Sequence, residues 1–314
     1  LKVLFLVNPH AGGRANQQAI DIAMSEFRKA DWDVTKTLTT SEKQANDLIR
    51  GATYDGYNMV AVAGGDGTVH NAIQNIPLAT DDHPEPIPLA IFPLGSGNDF
   101  IRGTGALPDP ESSAKNIVEG VSAPFDMGLV EPVDQDGNPR DGRIVRFCNT
   151  AGVGIDSQTL ATRLTAPKWL GTRYDLLFVL TLMKLFPLNI VMEAEDWTFE
   201  GPVYWAVCCN NHQIGNGMKI APGATIDDGV MDIVFVHKDS KLKFIMSLPK
   251  VFKGAHLDVD CFEMRKAKSV VLRCSPEQNV AADGDITELA PSRIRLLNKA
   301  ARLRTSWLNG KKLV

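Results

Sequence analysis

Two continuous apolar runs, Lys2–Val7 (KVLFLV) and Met59–Ala63 (MVAVA), stop at glycine- or asparagine-rich turns and are each followed by a helical stripe. A third run, Leu89–Phe92 (LAIF), stops at the turn Gly95–Gly97. A short strand that is apolar on both faces must be covered on both faces, the condition of a parallel sheet between layers of helices. The stripes have the right spacing: Ile20, Ala23, Met24 and Phe27 after the first run, and Val69, Ala72, Ile73 and Ile76 after the second, each recur on one helical face. Between them, Asp33–Leu38 reads as a weaker strand, and Ala45, Leu48 and Ile49 mark a short helix.

The pattern changes near Phe125. Short runs bounded by Gly, Pro, Asp and Asn follow: Val145–Phe147, Val203–Cys208, Met231–Val236 and Ser269–Arg273, with a helical stretch around Arg173–Leu185. Such a series predicts a β-sandwich or barrel. A chain of 314 residues has room for about two domains, and the boundary is expected between Ala123 and Asp126. Ala79–Pro86 and Asp134–Arg143 are polar and read as surface loops. The longest apolar run, Leu176–Met183, is eight residues, against ~20 for a spanning helix, so no membrane span and no leader segment are expected.

The formal net charge of −4 argues against a dedicated nucleic-acid binder. Five cysteines without a CxxC spacing argue against a zinc ribbon or a disulfide framework and favour a reducing compartment. The six histidines form no HExxH pair.

Chemistry concentrates at the carboxyl ends of the apolar runs: Asn8–Gly13, Gly64–Thr68 and Pro93–Asp99. In open parallel sheets ligands bind at that edge. Glycines let backbone N–H groups approach an anion, and a helix N-terminus adds partial positive charge. Three such corners predict a phosphate-bearing ligand, although each alone also reads as a plain strand-to-helix turn. Neither GxxxxGK[ST] nor a helix-opening GxGxxG is present. Far along the chain, Asp283 and Asp285 flank Gly284. On an extended chain two such carboxylates point the same way, and like charges that close raise one pKa, which suits a general base; the alternative is a surface β-turn.

Gly64–Thr68 (GGDGT), Asn8-Pro9 and Gly95–Asp99 together resemble the diacylglycerol kinase and sphingosine kinase catalytic-domain family, distantly similar in fold to the NAD kinases. The likeness continues in order through Phe125–Gly128, Phe147–Asp156, Ala221-Pro222, Asp227–Gly229 and Asp283–Asp285, and is nearest to the bacterial lipid kinases. It implies an α/β fold: an N-terminal NAD-kinase-like (Rossmann-like) parallel-sheet domain, 1–125, rejoined by 292–314, and a C-terminal β-sandwich domain, 126–291, carrying the lipid acceptor.

The resemblance implies ATP held by Asn8, Pro9, His10, Ala11 and Gly12, by Thr39, by Gly65, Asp66, Gly67, Thr68, Val69, His70 and Asn71, and by Ser96. It implies Mg²⁺ at the nucleotide through Asp66, Asp99 and Asp126, and a structural Mg²⁺ through Asp228 with the carbonyls of Thr225 and Val230. Asp285, where the family usually has Glu, or else Asp283, takes the acceptor's proton. His70 and Asn71 stand where the family more often has Asn and Glu, and Ser96 where Thr is commoner.

The expected activity is ATP-dependent phosphorylation of diacylglycerol or a related lipid to give phosphatidic acid. Kinase action on a sphingoid base, phosphatidylglycerol or NAD, or a non-catalytic binding role, is the alternative. Leu176–Leu185 reads as core or as the lining of an acyl-chain groove. Two basic clusters, one in Pro291–Val314 and one formed by Lys238, Lys241, Lys243, Lys250 and Lys253, read as solvated faces or as contacts to anionic headgroups. The resemblance implies a cytoplasmic enzyme touching the inner membrane surface, without nucleic-acid partners, and compatible with a homodimer.

Overall fold

The computed structural model of the chain describes residues 1–11, 16–165, 180–215, 217–238 and 241–314. Strands and helices alternate through the first third as β1 (Lys2–Val7), α1 (Asn16–Lys29), β2 (Asp33–Leu38), α2 (Glu42–Gly51), β3 (Met59–Gly64), α3 (Asp66–Asn75) and β4 (Leu89–Pro93). They are followed by α4 (Asp99–Thr104) and α5 (Pro110–Glu119). The sheet runs β4-β3-β1-β2, all parallel. Alternate residues of β1 sort to its two faces. Val3, Phe5 and Val7 pack with Ala19, Ala23 and Phe27 of α1. Leu4 and Leu6 pack with Ile49 of α2 and with Val69, Ala72 and Ile73 of α3. The period-2 strand and the period-3.6 helix thus meet as the apolar runs require. Because β2 lies on one side of β1 and β3 on the other, the chain direction reverses at the β1/β3 pair, and a crevice opens at their carboxyl ends.

The remaining elements are β5 (Val121–Pro132), β6 (Val145–Phe147), β7 (Thr150–Gly154), α6 (Ile155–Thr165), β8 (Leu188–Ala194), β9 (Thr198–Cys209), β10 (Met231–His237), α7 (Lys241–Lys253), β11 (Phe262–Ala267), β12 (Ser269–Ser275), β13 (Asn279–Ala282), β14 (Asp285–Leu289), β15 (Ser292–Thr305), β16 (Trp307–Leu308) and β17 (Lys311–Lys312). Most of these strands pair antiparallel, and their inner faces enclose a second core that includes Phe147, Ile190, Met192, Val203, Ile233, Phe235 and Leu272. The outer face of β9 and β10 (Trp205, Val207, Val234, Val236) is covered by α7 through Phe244 and Val251. The stretch Arg173–Leu185 falls largely outside the described residues.

Two long antiparallel strands, β5 and β15, run through both halves. Ser292–Leu297 pairs with Met127–Pro132, and Ala301–Thr305 pairs with Val121–Phe125. Between them a bulge sets Asn298–Ala300 of β15 opposite Asp126, with Lys299 at φ +50°. Before the bulge β15 pairs with β12, and after it Leu303 pairs with Leu89 of β4. The return to the parallel sheet therefore happens at 298–301, later than the expected start at 292, because one uninterrupted strand serves both sheets.

Candidate functional site

The three glycine corners meet in the crevice. Asn8, just after β1, donates from Nδ2 to Thr68 Oγ1 at 3.0 Å, tying the first corner to the first turn of α3. Its backbone N–H donates to Ala63 O and its own Oδ1 accepts from His10 N, which shapes Asn8–His10 into a tight turn. Pro9 and His10 are exposed, Ala11 is half-buried, and Gly12 lies outside the described residues. Thr39, at the end of β2, binds Val7 O through its backbone N–H and its hydroxyl.

The second and third corners touch through their glycines. A Cβ on Gly95 would stand 2.6 Å from Gly65 Cα, so a side chain there would force the turns apart. A Cβ on Gly67, by contrast, meets nothing within 4 Å among the described residues, so this glycine faces open space at the N-terminus of α3. Val69 is buried in the core, whereas His70 and Asn71 are half-buried. Ser96 is exposed at the tip of its turn.

Asp66 fastens this assembly. Its Oδ1 accepts from Asp99 N at 2.8 Å and its Oδ2 from Asn98 N at 2.9 Å, pinning the start of α4 to the start of α3. Burial pushes the Asp66 carboxyl up, the two backbone N–H groups pull it down, and the nearby charge of Asp283 adds to the rise. A Cβ built on Gly97 would lie 2.6 Å from Asp66 Oδ2 and 3.7 Å from Asp99 Oδ2, so both carboxylates border one small space. Two carboxylates bordering one space are the hard oxygen chemistry that suits Mg²⁺.

The acidic pair splits into two roles. Asp283, at φ +47°, accepts backbone N–H groups from Cys148, Asn149 and Thr150 at 2.6–3.0 Å and thereby shapes the β6–β7 connection. Asp285 keeps its carboxylate at the surface of the cleft, bonded to Arg143 Nη2 at 2.8 Å and standing 3.6 Å from His70 Nε2. The positive φ of Asp283 and Gly284 (+84°) turns the chain between them, so the pair does not project side by side as an extended strand would.

Several contributors carry no motif of their own. Gln74 of α3 donates to Arg146 O and accepts from Arg146 N, a two-way clasp onto β6. Arg146 Nη1 then donates to Ile73 O and Ile76 O at the carboxyl end of α3, complementing that end of the helix dipole. The helix that begins at GGDGT is thus held by the other half of the molecule. A basic residue placed after a polar loop is too common a signal to have revealed Arg143 or Arg146.

Asp126 sits elsewhere than the nucleotide-side role implied. It is fully buried at the β15 bulge, where Oδ1 accepts from Lys299 N and Oδ2 from Gly229 N, both at 2.6 Å, and its own N–H donates to Ile226 O. Its two oxygens are taken up by backbone donors, one at the bulge and one in the Asp227–Gly229 loop, an arrangement that does not fit a metal at the nucleotide. The loop behind it carries Thr225, Asp228 and Val230. Asp228 is exposed and accepts from Val230 N at 3.1 Å, with Gly229 at φ +74° completing the turn.

Comparison with known proteins agrees with this layout. Residues 2–130 match the family model for the diacylglycerol kinase catalytic domain, and residues 149–305 match the YegS C-terminal NAD kinase beta sandwich-like domain. A diacylglycerol kinase of Mycobacterium tuberculosis is 32% identical over 308 residues, covering 96% of this chain and 94% of that protein. The crystal structure of a diacylglycerol kinase from Bacillus anthracis superimposes with a TM-score of 0.70 at 20% identity, covering 97% of this chain and 96% of that one. Yeast NADH kinase superimposes with a TM-score of 0.51 at 10% identity over 97% of this chain and 83% of that one, a likeness of fold alone. A parallel-sheet domain with three glycine corners, an antiparallel sandwich and a full-length match to a bacterial relative lead to one statement: the chain belongs to the diacylglycerol kinase catalytic domain family of lipid kinases.

Proposed function

We propose that the chain transfers the γ-phosphoryl group of ATP to the hydroxyl of diacylglycerol or a related glycerolipid, giving phosphatidic acid and ADP. The observation that carries this reading is the meeting of two arrays on one helix: Asp66 at the start of α3 locks the Gly95–Asp99 turn onto GGDGT, and Asp285 of the second domain stands beside His70 one turn further on. Backbone N–H groups around Gly65–Thr68 and Ser96, with the corner at Asn8–Ala11, hold the phosphates; Thr39 borders the same edge. His70 and Asn71 continue the surface toward the cleft.

Asp66 and Asp99 are the residues that would hold Mg²⁺, which when bound offsets charge on the transferring phosphoryl group. Asp285 accepts the proton of the acceptor hydroxyl as its oxygen bonds to the γ-phosphorus and the bond to the bridging oxygen of ADP breaks. Arg143 holds the Asp285 carboxylate in place, and Asp283 keeps the strand connection beneath it in shape. Asp228 with the carbonyls of Thr225 and Val230 forms a separate loop of oxygen donors for a structural cation. No helix among the described residues is long and apolar enough to cross a membrane.

The test is transfer of label from γ-³²P-ATP, with Mg²⁺, to mixed micelles holding diacylglycerol, a sphingoid base or phosphatidylglycerol, and separately to NAD. Label on diacylglycerol supports the reading. Label only on another acceptor overturns the substrate, and no label on any acceptor from folded protein overturns the kinase assignment.

A further inference from the structure

The helix α7 is apolar on both of its faces. Its inner face, Phe244, Ser247 and Val251, is buried against β9 and β10. Away from that face, Leu242 and Met246 stand one turn apart with 65% and 71% of their surface exposed, and Phe252 further round the helix is 50% exposed. Beside it lie Met183, 73% exposed, and Phe186, 44% exposed. Lys241 Nζ fastens this neighbouring segment to α7 by donating to Met183 O at 2.8 Å and Leu185 O at 3.2 Å. An exposed apolar cluster of this size on a folded chain marks an interaction surface.

The charge around the cluster selects the partner. The sequence of α7 holds four lysines, Lys241, Lys243, Lys250 and Lys253, and no acidic residue. Lys243 pairs with Asp260, while Lys250, Lys253 and Lys184 are exposed. A helix with apolar residues outward and lysines flanking them matches the interface of a bilayer, where apolar side chains enter the acyl boundary and lysines meet anionic headgroups.

A cavity of about 480 Å³ lies beside this surface, lined by Lys184 and Phe186 together with Gln158, Gln278, Ile286 and Leu289.

The geometry points to the outer face of α7, with Met183 and Phe186, as the surface by which this protein docks on an anionic membrane. The purpose of the docking rests on the reading of the acceptor as a membrane lipid; the docking itself does not.

The experiment is co-sedimentation of the purified chain, without ATP or acceptor, with phosphatidylcholine vesicles and with phosphatidylcholine–phosphatidylserine vesicles. The chain is expected to partition onto the anionic vesicles, and less so as salt rises. Leu242→Ser with Met246→Ser, and separately Lys250→Glu with Lys253→Glu, should each lower that partition at least tenfold with melting temperatures unchanged, since all four side chains are exposed. In a second readout, the Ser pair should lower turnover of long-chain diacylglycerol in vesicles while sparing turnover of a short-chain, monomerically dispersed diacylglycerol. Equal binding of the unaltered chain and both pairs, or no binding of the unaltered chain to either vesicle, overturns the surface. Docking that follows these expectations while no lipid accepts phosphate overturns the acceptor reading and leaves the surface standing.

Discussion

His70 Nε2 stands 3.6 Å from Asp285 Oδ2, joining the helix that opens at GGDGT to the acidic strand of the other domain. The imidazole is nearly enclosed, and its Nδ1 is buried with no hydrogen-bond partner among the described residues. The contact fixes where the carboxylate sits relative to the glycine corners, and Arg143 approaches the same oxygen, Asp285 Oδ2, at 2.8 Å. Arg143 and His70 thus both stand at Oδ2, while Oδ1 accepts from Ile286 N within the strand.

Asp285→Asn removes the proposed proton acceptor and keeps the shape. The expected outcome is a fall in kcat of about 10²–10⁴-fold, the usual contribution of a positioned base. The dissociation constant of a non-hydrolysable ATP analogue, measured by calorimetry, should stay within a factor of two or so, because Asp285 belongs to the second domain and not to the corners. Unchanged kcat would remove Asp285 from the chemistry.

Asp283→Asn should behave in the opposite way. Three backbone N–H groups converge on its carboxylate, and an amide offers one acceptor oxygen in place of two. The expected cost is roughly 2–4 kcal/mol of stability, since bonds to a charged acceptor are stronger than neutral ones and unmet buried donors are costly. Thermal unfolding reads it as a drop of several degrees, against little change for Asp285→Asn, whose ion pair is partly exposed. Equal melting temperatures for the two variants would contradict this division of labour.

The same division shows what a sequence conveys. Apolar runs and stripes announced β1, β3, β4, α1 and α3, because burial on two faces leaves a one-dimensional trace. The glycine corners were readable for the same reason: close backbone approach excludes side chains. The separation of Asp283 from Asp285 was not readable, because it depends on a left-handed φ at a non-glycine residue and on amides 133 to 135 positions away in sequence. Asp126 carried a family motif yet serves the bulge in β15, a strand irregularity with no compositional signal. Arg146, which caps α3 from the other domain, was hidden because one arginine in a polar stretch looks like any other.

Gly67 and Gly95 separate packing from ligand contact. A methyl at Gly67 enters open space at the start of α3, so Gly67→Ala should leave the melting temperature unchanged or slightly raised. If phosphates occupy that space, nucleotide affinity falls at least tenfold. Gly95→Ala instead collides with Gly65 Cα and should lower both stability and nucleotide affinity. Differential scanning fluorimetry with and without ATP distinguishes them, and an unaltered ATP-induced stabilisation in Gly67→Ala would move the phosphates elsewhere.

Asp156 gives the fold a pH dependence unrelated to turnover. It opens α6 and accepts from Trp205 Nε1 at 2.8 Å, and burial raises its pKa to about 6. An unfolded aspartate titrates near ~3.9. Between those values the native state binds more protons than the unfolded one, so stability falls as pH rises through this window and levels off above it. Asp156→Asn, which keeps an acceptor for the indole, should flatten that decline and be more stable at pH 8 by on the order of 2 kcal/mol, the side chain's remaining water contact holding the gain below the full shift. Denaturant titrations at pH 4, 6 and 8 check the sign, and a variant less stable than the parent at pH 8 would refute it.

Asp126 is a keystone of the domain junction, and its substitution tests that assignment against metal binding. Asp126→Ala strands the N–H groups of Lys299 and Gly229 in a fully buried position. Each unmet buried donor costs about 1–3 kcal/mol, so a loss of roughly 2–5 kcal/mol is expected. Because β5 and β15 carry both domains, the loss should appear as one earlier unfolding transition, not as melting of a single domain. A metal ligand would behave differently: the fold would survive and the Mg²⁺ concentration for half-maximal activity would rise. At a temperature where the variant is still folded, that concentration should equal the parent's, since Asp66 and Asp99 border the space that fits the cation. A large rise in the Mg²⁺ requirement with an unchanged melting temperature would return Asp126 to the nucleotide.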